Sequence, residues 1–221
     1  MHMACSSTRR GRAPWRVALL LVSLLTINGG CDLVRTMAVY SAPATEKVPA
    51  EYNRLPGKNV LVYVWVPPEI KWDYPYIRLD LAGYVGAYLK ENVKDVTFVD
   101  PRQVEDFLEQ HGYQMLEPAV LGERFQADTV IHLSVHRFSL RERGMAHFYR
   151  GRIASAVTVY ELSPGAPEPE RFPLEEVEVL YPAEQPIAFA NVHASQVMQA
   201  TFETFAVEVG RKFHTWSRPL D

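Results

Sequence analysis

The segments DTVIHLSVHRFSL (Asp128–Leu140) and AHFYRGRIASAVTVYEL (Ala146–Leu162) decide the fold. Ile131, Leu133 and Val135 alternate with His132, Ser134 and His136. In the second segment Ile153, Val157 and Val159 alternate with Thr158 and Tyr160. Period-two alternation of β-branched and polar residues is the pattern of a strand with one buried face. The charged turn Arg141–Gly144 joins the two, so they read as an antiparallel hairpin. Such a hairpin argues against a doubly wound nucleotide-binding sheet, whose strands are parallel.

Outward from the hairpin, VLVYVWV (Val60–Val66) is an almost continuous apolar run and reads as a strand covered on both faces. Pro67-Pro68 ends it, and an aromatic loop follows with Trp72, Tyr74 and Tyr76. Ile77, Leu81, Tyr84, Val85, Tyr88 and Leu89 recur at helical spacing and predict a helix over 76–93. Val96–Val99 is a short strand. Asp100-Pro101-Arg102-Gln103 is a helix start, with an Asp cap, Pro in the first turn and Gln three residues after the cap. Val104, Phe107 and Leu108 form that helix's buried stripe, and Gly112 closes it. A short helix is expected near 118–126, a proline-rich loop at Ser163–Arg171, a strand at Leu174–Tyr181 and a last helix over about 191–214. The order β-α-β-α-(α)-β-β-β-α predicts a single α/β domain over 58–216. It has a mixed sheet of about five strands with helices packed on it.

Two local patterns add a resemblance. Val96-Thr97-Phe98-Val99-Asp100 leads straight into a helix, and Ala127-Asp128-Thr129-Val130-Ile131 opens the hairpin. Together with the element order these resemble a family of bacterial envelope domains over residues 58–214. That family includes the curli-pore lipoprotein, the lipoprotein activators of cell-wall synthases and the amino-terminal domain of the Tol system's periplasmic protein. His132 and Leu133 stand where the family often has Gly. The resemblance implies a non-catalytic assembly or regulatory role and transfers no named binding residue.

The amino-terminal end predicts a compartment. Arg9, Arg10, Arg12 and Arg16 precede VALLLVSLLTI (Val17–Ile27), an apolar core of eleven residues. A bilayer-spanning helix needs about 20, so residues 1–30 read as a cleaved export signal. Gly29-Gly30-Cys31 resembles the lipobox of bacterial lipoproteins, with Asn28 where that motif usually has Leu. The resemblance implies acylation of Cys31 and a domain held in the periplasm, at the inner or outer membrane. Residues 31–57, with Pro43, Pro49 and Pro56-Gly57, read as a lipid-anchored flexible tether.

Without the leader, 19 basic residues face 26 acidic ones, a net charge of −7. This excludes the dense basic surface that nucleic-acid binding requires. The chain's two cysteines are Cys5, in the leader, and Cys31, so the domain is held by its core without a disulfide. No Gly-x-Ser-x-Gly elbow, phosphate-cradling glycine loop or His-Glu-x-x-His is present. His132 and His136 share a face, but four strand residues separate them by about 13 Å, too far for one metal ion. His147 is the residue that could join them across the hairpin. Glu176 and Glu178 read as a solvated strand face. The sequence thus predicts no catalytic residues, no metal and no cofactor.

The expected partners are the membrane, through Cys31, and an envelope protein or further copies of the chain. Trp72, Tyr74 and Tyr76 are the candidate contact residues, since aromatic side chains give large contact area at little entropy cost. The competing reading is that the loop covers the end of the sheet. Arg141, Arg143, Arg150 and Arg152 surround the hairpin tip, as a solvated turn or a contact for acidic groups. Two further functional classes stay open at this level: an auxiliary lipoprotein of an exporter, and a hydrolase using His132, His136 or the glutamates.

Overall fold

The computed structural model describes residues 45–111, 114–163 and 168–220. The signal, Cys31 and the first part of the tether lie outside the described residues, as do Gly112 and 164–167 of the proline-rich loop. In chain order the elements are β1 (Thr45–Val48), β2 (Asn59–Trp65), α1 (Pro68–Asp73), α2 (Ile77–Asn92), β3 (Thr97–Phe98), α3 (Pro101–Gln110) and α4 (Pro118–Arg124). They continue with β4 (Thr129–Arg141), β5 (Phe148–Glu161), β6 (Glu170–Tyr181), β7 (Ile187–Ala188), α5 (Ala194–Gly210), a 3₁₀ turn (Arg211–Phe213) and β8 (Trp216–Pro219). By internal packing the chain divides into a large unit, Lys47–Trp216, and a small one whose described residues are 45–46 and 217–220. β1 and β8 form a two-stranded sheet, and within the small unit Arg218 pairs with Glu46 at 2.7 Å.

The large unit is a single α/β domain on a six-stranded mixed sheet in the order β3-β2-β4-β5-β6, with β7 also on β5. β2 runs parallel to β3 and β4, while β4, β5 and β6 are antiparallel. The apolar run of β2 faces both ways, as its composition requires. Val60, Val62 and Val64 enter a core with Leu81, Val85 and Leu89 of α2 and Phe205 and Val209 of α5. Leu61 and Tyr63 enter a smaller core with Val104 and Leu108 of α3 and Leu121 of α4. The domain therefore has three layers at β2. Toward β6 the second face is polar, with Glu176 and Glu178 exposed. The start of α3 follows the sequence signal. Asp100 Oδ1 accepts from Arg102 N at 2.9 Å, and Pro101 occupies the first turn, where a missing N–H is harmless.

Three expectations need correction. The alternation read through His136 breaks there. Val135 pairs with Ser155 and Arg137 with Ala154, so His136 is the extra residue of a bulge. A bulge shifts the side-chain register by one, and the core face passes from Ile131, Leu133 and Val135 to Phe138 and Leu140. The tether also ends earlier than residue 57. Leu55 is fully buried, and Tyr52 is buried between Phe172 and Phe213, with ring centroids 5.5 and 6.0 Å away. Tyr52 N donates to the Lys212 carbonyl at 3.0 Å, and its hydroxyl donates to Glu161. Finally, β6 begins at Glu170 rather than Leu174 and includes Pro173. As the edge strand it tolerates a residue that cannot donate to a ladder. Where β6 bulges opposite Ala156, the Glu175 N–H donates to Glu51 Oε2 at 2.9 Å.

α5 reaches the sheet through a glycine. A Cβ built on Gly151 of β5 would stand 1.8 Å from Thr201 Oγ1 and 2.9 Å from its Cβ, and Thr201 is fully buried. Gly151→Ala is expected to destabilise the domain by about 1–3 kcal/mol through overpacking. Adding Thr201→Ala should recover part of that loss, because it removes the nearest atom. Urea midpoints of the two variants test this; additive losses in the double variant would be the contrary result.

Candidate partner-binding surface

The aromatic segment between β2 and α2 is partly helical. Pro68 sits in the first turn of α1, and Tyr74 N donates back to Ile70 O at 2.9 Å, closing a helix of six residues. The three aromatic residues expected to act together separate here. Tyr74 turns inward, its ring 4.5 Å from Phe138 in an edge-on arrangement. Burial raises its hydroxyl pKa above the usual range, and Asp73 adds to that. Trp72 and Tyr76 point outward, 73% and 72% exposed. One residue of the trio thus anchors the loop, and two are presented to solvent.

A buried ionic cluster holds this segment from behind. Lys71 of α1 donates to Glu105 of α3 and to the Pro75 carbonyl. Arg78 of α2 grips the same carboxylate with Nε and one terminal nitrogen, each at 2.9 Å. Three helices are thereby tied at one acid. Glu109, largely exposed, stands 3.6 Å from Lys71. The sequence reading missed these three residues, although their spacing marks them. Glu105 is in step with the buried Val104 and Leu108, and Arg78 with Leu81, Ala82 and Val85. A charge on a helix's buried stripe signals a partner elsewhere in the fold.

Beside the aromatic pair lies a cleft of about 210 Å³ lined by Asp73, Tyr74, Tyr76, Asp80, Met198 and Phe202. It brings the α1–α2 segment together with α5. Burial raises the Asp80 carboxyl above the usual carboxylate range.

The histidines take different surroundings. His132 is buried and stacks on Tyr63, with centroids 4.7 Å apart. His136, at the bulge, stands 3.0 Å from Glu176. His147 lies against Phe189 at 6.2 Å. Among the described residues no group of three or more His, Cys, Asp or Glu could hold a metal ion. At the hairpin tip, Glu142 lies 3.5 Å from Arg150 and 3.7 Å from Arg152, so these two arginines serve the tip itself. Gly144 there has φ of 74°, a left-handed turn position that suits glycine. Among the described residues no helix is long and apolar enough to cross a membrane.

The fold defines a class: an α/β domain on a mixed sheet with an antiparallel hairpin. No family model matches the chain, and no curated protein matches it. Among solved structures it is similar to the PelC dodecamer from Paraburkholderia phytofirmans, at 8% identity over 77% of this chain and 98% of that one, TM-score 0.42. It is also similar to lipoprotein GNA1162 from Neisseria meningitidis, at 13% identity over 68% and 95%, TM-score 0.35. A minor lipoprotein from Acinetobacter baumannii is similar at 14% identity over 72% and 92%, TM-score 0.31. At these identities the likeness is one of fold alone.

Proposed function

We propose that the chain is a non-catalytic lipoprotein of the bacterial envelope. Cys31 anchors it, and its periplasmic domain binds another protein or further copies of itself. The leader and Gly29-Gly30-Cys31 support the anchor, and the resemblance of residues 58–214 to envelope assembly domains supports the role. The observation that carries the reading is the pair Trp72 and Tyr76, exposed on a segment fixed by Tyr74 and the Lys71–Glu105–Arg78 cluster. Large aromatic side chains held in water on a rigid support are the usual anchors of protein interfaces, because little ordering cost is left for binding.

Two measurements test the two halves. The wild-type protein should take up radiolabelled fatty acid, and Cys31→Ala should abolish the labelling. A wild-type protein that takes up no label would count against the anchor. Photo-crosslinking in cells from position 76 should give one discrete adduct that the variant Trp72→Ala weakens. A smear insensitive to Trp72 would remove the binding surface.

A further inference from the structure

We propose that the cleft between Tyr76 and α5 receives an arginine or lysine side chain of the partner protein, with Asp80 as its counter-charge. The inference rests on the binding role above and adds the chemistry of what is bound.

Three observations combine. First, the cleft is the right size for one side chain. At about 210 Å³ it falls below the roughly 300–1,000 Å³ of pockets that enclose a whole small molecule. Second, its walls suit a cation with an apolar stem. Tyr74, Tyr76 and Phe202 offer ring faces and edges, and Met198 offers an adaptable apolar surface. Third, its lining acids are negative and unpaired among the described residues. Asp73 and Asp80 both line the cleft, and neither takes part in an ion pair among the described residues. The cations nearby are Lys71, which donates to the Pro75 carbonyl in the cleft wall and is paired with Glu105, and Arg141, which acts on the Tyr74 hydroxyl.

Asp80 is the sharper of the two acids. It lies in the first turn of α2, and burial alone raises its carboxyl pKa. A carboxylate partly withdrawn from water, with no cation beside it, gains more from an incoming positive charge than an exposed one does. Trp72, on the same segment, would pack on the partner's surrounding surface. Arginine and lysine stems bury readily along aromatic walls while the head meets the acid, so the cleft and the charge select the same occupant.

The test uses the full-length protein in detergent, with its methionine methyl groups labelled for NMR. Titration with N-acetyl-arginine methylamide should shift the Met198 methyl resonance saturably. Asp80→Asn should weaken that binding by about tenfold, and Asp80→Glu should restore most of it. The neutral citrulline analogue should give no saturable shift. Equal shifts from citrulline, or no effect of Asp80→Asn, would overturn the proposal. Tighter binding of glycerophosphoethanolamine than of the arginine compound would assign the cleft to a lipid headgroup and also overturn it. In cells, the adduct from position 76 should fall with Asp80→Asn and persist with Asp80→Glu. An adduct undiminished by Asp80→Asn sinks the basic side chain but keeps the binding surface. The lack of any adduct removes both.

Discussion

Glu105→Gln is expected to destabilise the domain by roughly 3–5 kcal/mol, the usual cost of leaving buried charge uncompensated. Lys71, Arg78 and Glu105 are only 7%, 8% and 8% exposed, and the one carboxylate serves both cations. Its removal leaves two positive charges facing each other, with only Glu109, on the rim, near Lys71. A domain of ordinary stability has about 5–15 kcal/mol in all, so roughly a fifth or more would be lost. The charge, not the packing, is the cause, and a triple variant separates the two. Lys71→Met, Arg78→Met and Glu105→Leu together keep the volume and delete every charge. Replacement of a whole buried ionic cluster by apolar residues is often neutral or stabilising. Urea unfolding should therefore show a large loss for Glu105→Gln and recovery in the triple variant. A triple variant as unstable as the single one would mean that the residues matter by shape. The cluster also positions the segment with Trp72 and Tyr76, so Glu105→Gln should weaken the crosslink from position 76 even in the protein that remains folded.

Features set by local physics were legible in the sequence. The apolar run Val60–Val66 announces a strand buried on two faces, and it is β2 with both cores upon it. Ile77, Leu81, Val85 and Leu89 announce the face of α2 that enters the core. Asp100-Pro101 announces the start of α3 within a residue. The hairpin pattern announces the antiparallel pair β4–β5. What escaped depends on partners remote in the chain. Tyr52 sits among prolines and charges, and Glu161, Phe172, Lys212 and Phe213, more than a hundred residues on, make it core. Glu105 is marked by its place on the buried stripe of α3, but its partners Lys71 and Arg78 lie on other helices and only the fold brings them to it. The bulge at His136 left a trace: the apolar positions step from Val135 to Phe138, three residues instead of two. The candidate surface was half legible. Aromatic density found the segment, but local sequence does not tell which ring turns in, and Phe138 of the distant hairpin decides that for Tyr74.

His132 carries the second large prediction, one of pH. It projects from β4 into the layer under α3 and α4, stacked on Tyr63 and 6.3 Å from Tyr160. Its Nε2 is buried without a hydrogen-bond partner among the described residues. Burial, helped by the positive charge of Arg171, pushes the imidazole pKa down to about 4. An unfolded histidine titrates near 6.5. Below that value the unfolded chain takes up a proton that the folded chain refuses, so acid favours unfolding. The stabilising contribution of the neutral ring is complete above about pH 6.5 and is lost as the pH falls toward 4. Each tenfold difference in proton affinity between the folded and unfolded chain is worth about 1.4 kcal/mol, so the loss is roughly 3 kcal/mol across that window. Other groups also titrate there, Asp and Glu carboxyls among them, so wild type must be compared with His132→Phe, which keeps an aromatic ring on Tyr63 and cannot take a proton. Urea unfolding at pH 7, 5.5 and 4 should show wild type losing about 3 kcal/mol more than the variant, most of the difference having appeared by pH 4. Parallel losses in the two proteins would show that the ring accepts its proton without unfolding the sheet around it. The expected divergence would make β4, the strand joining the parallel and antiparallel halves of the sheet, the acid-sensitive point of the fold.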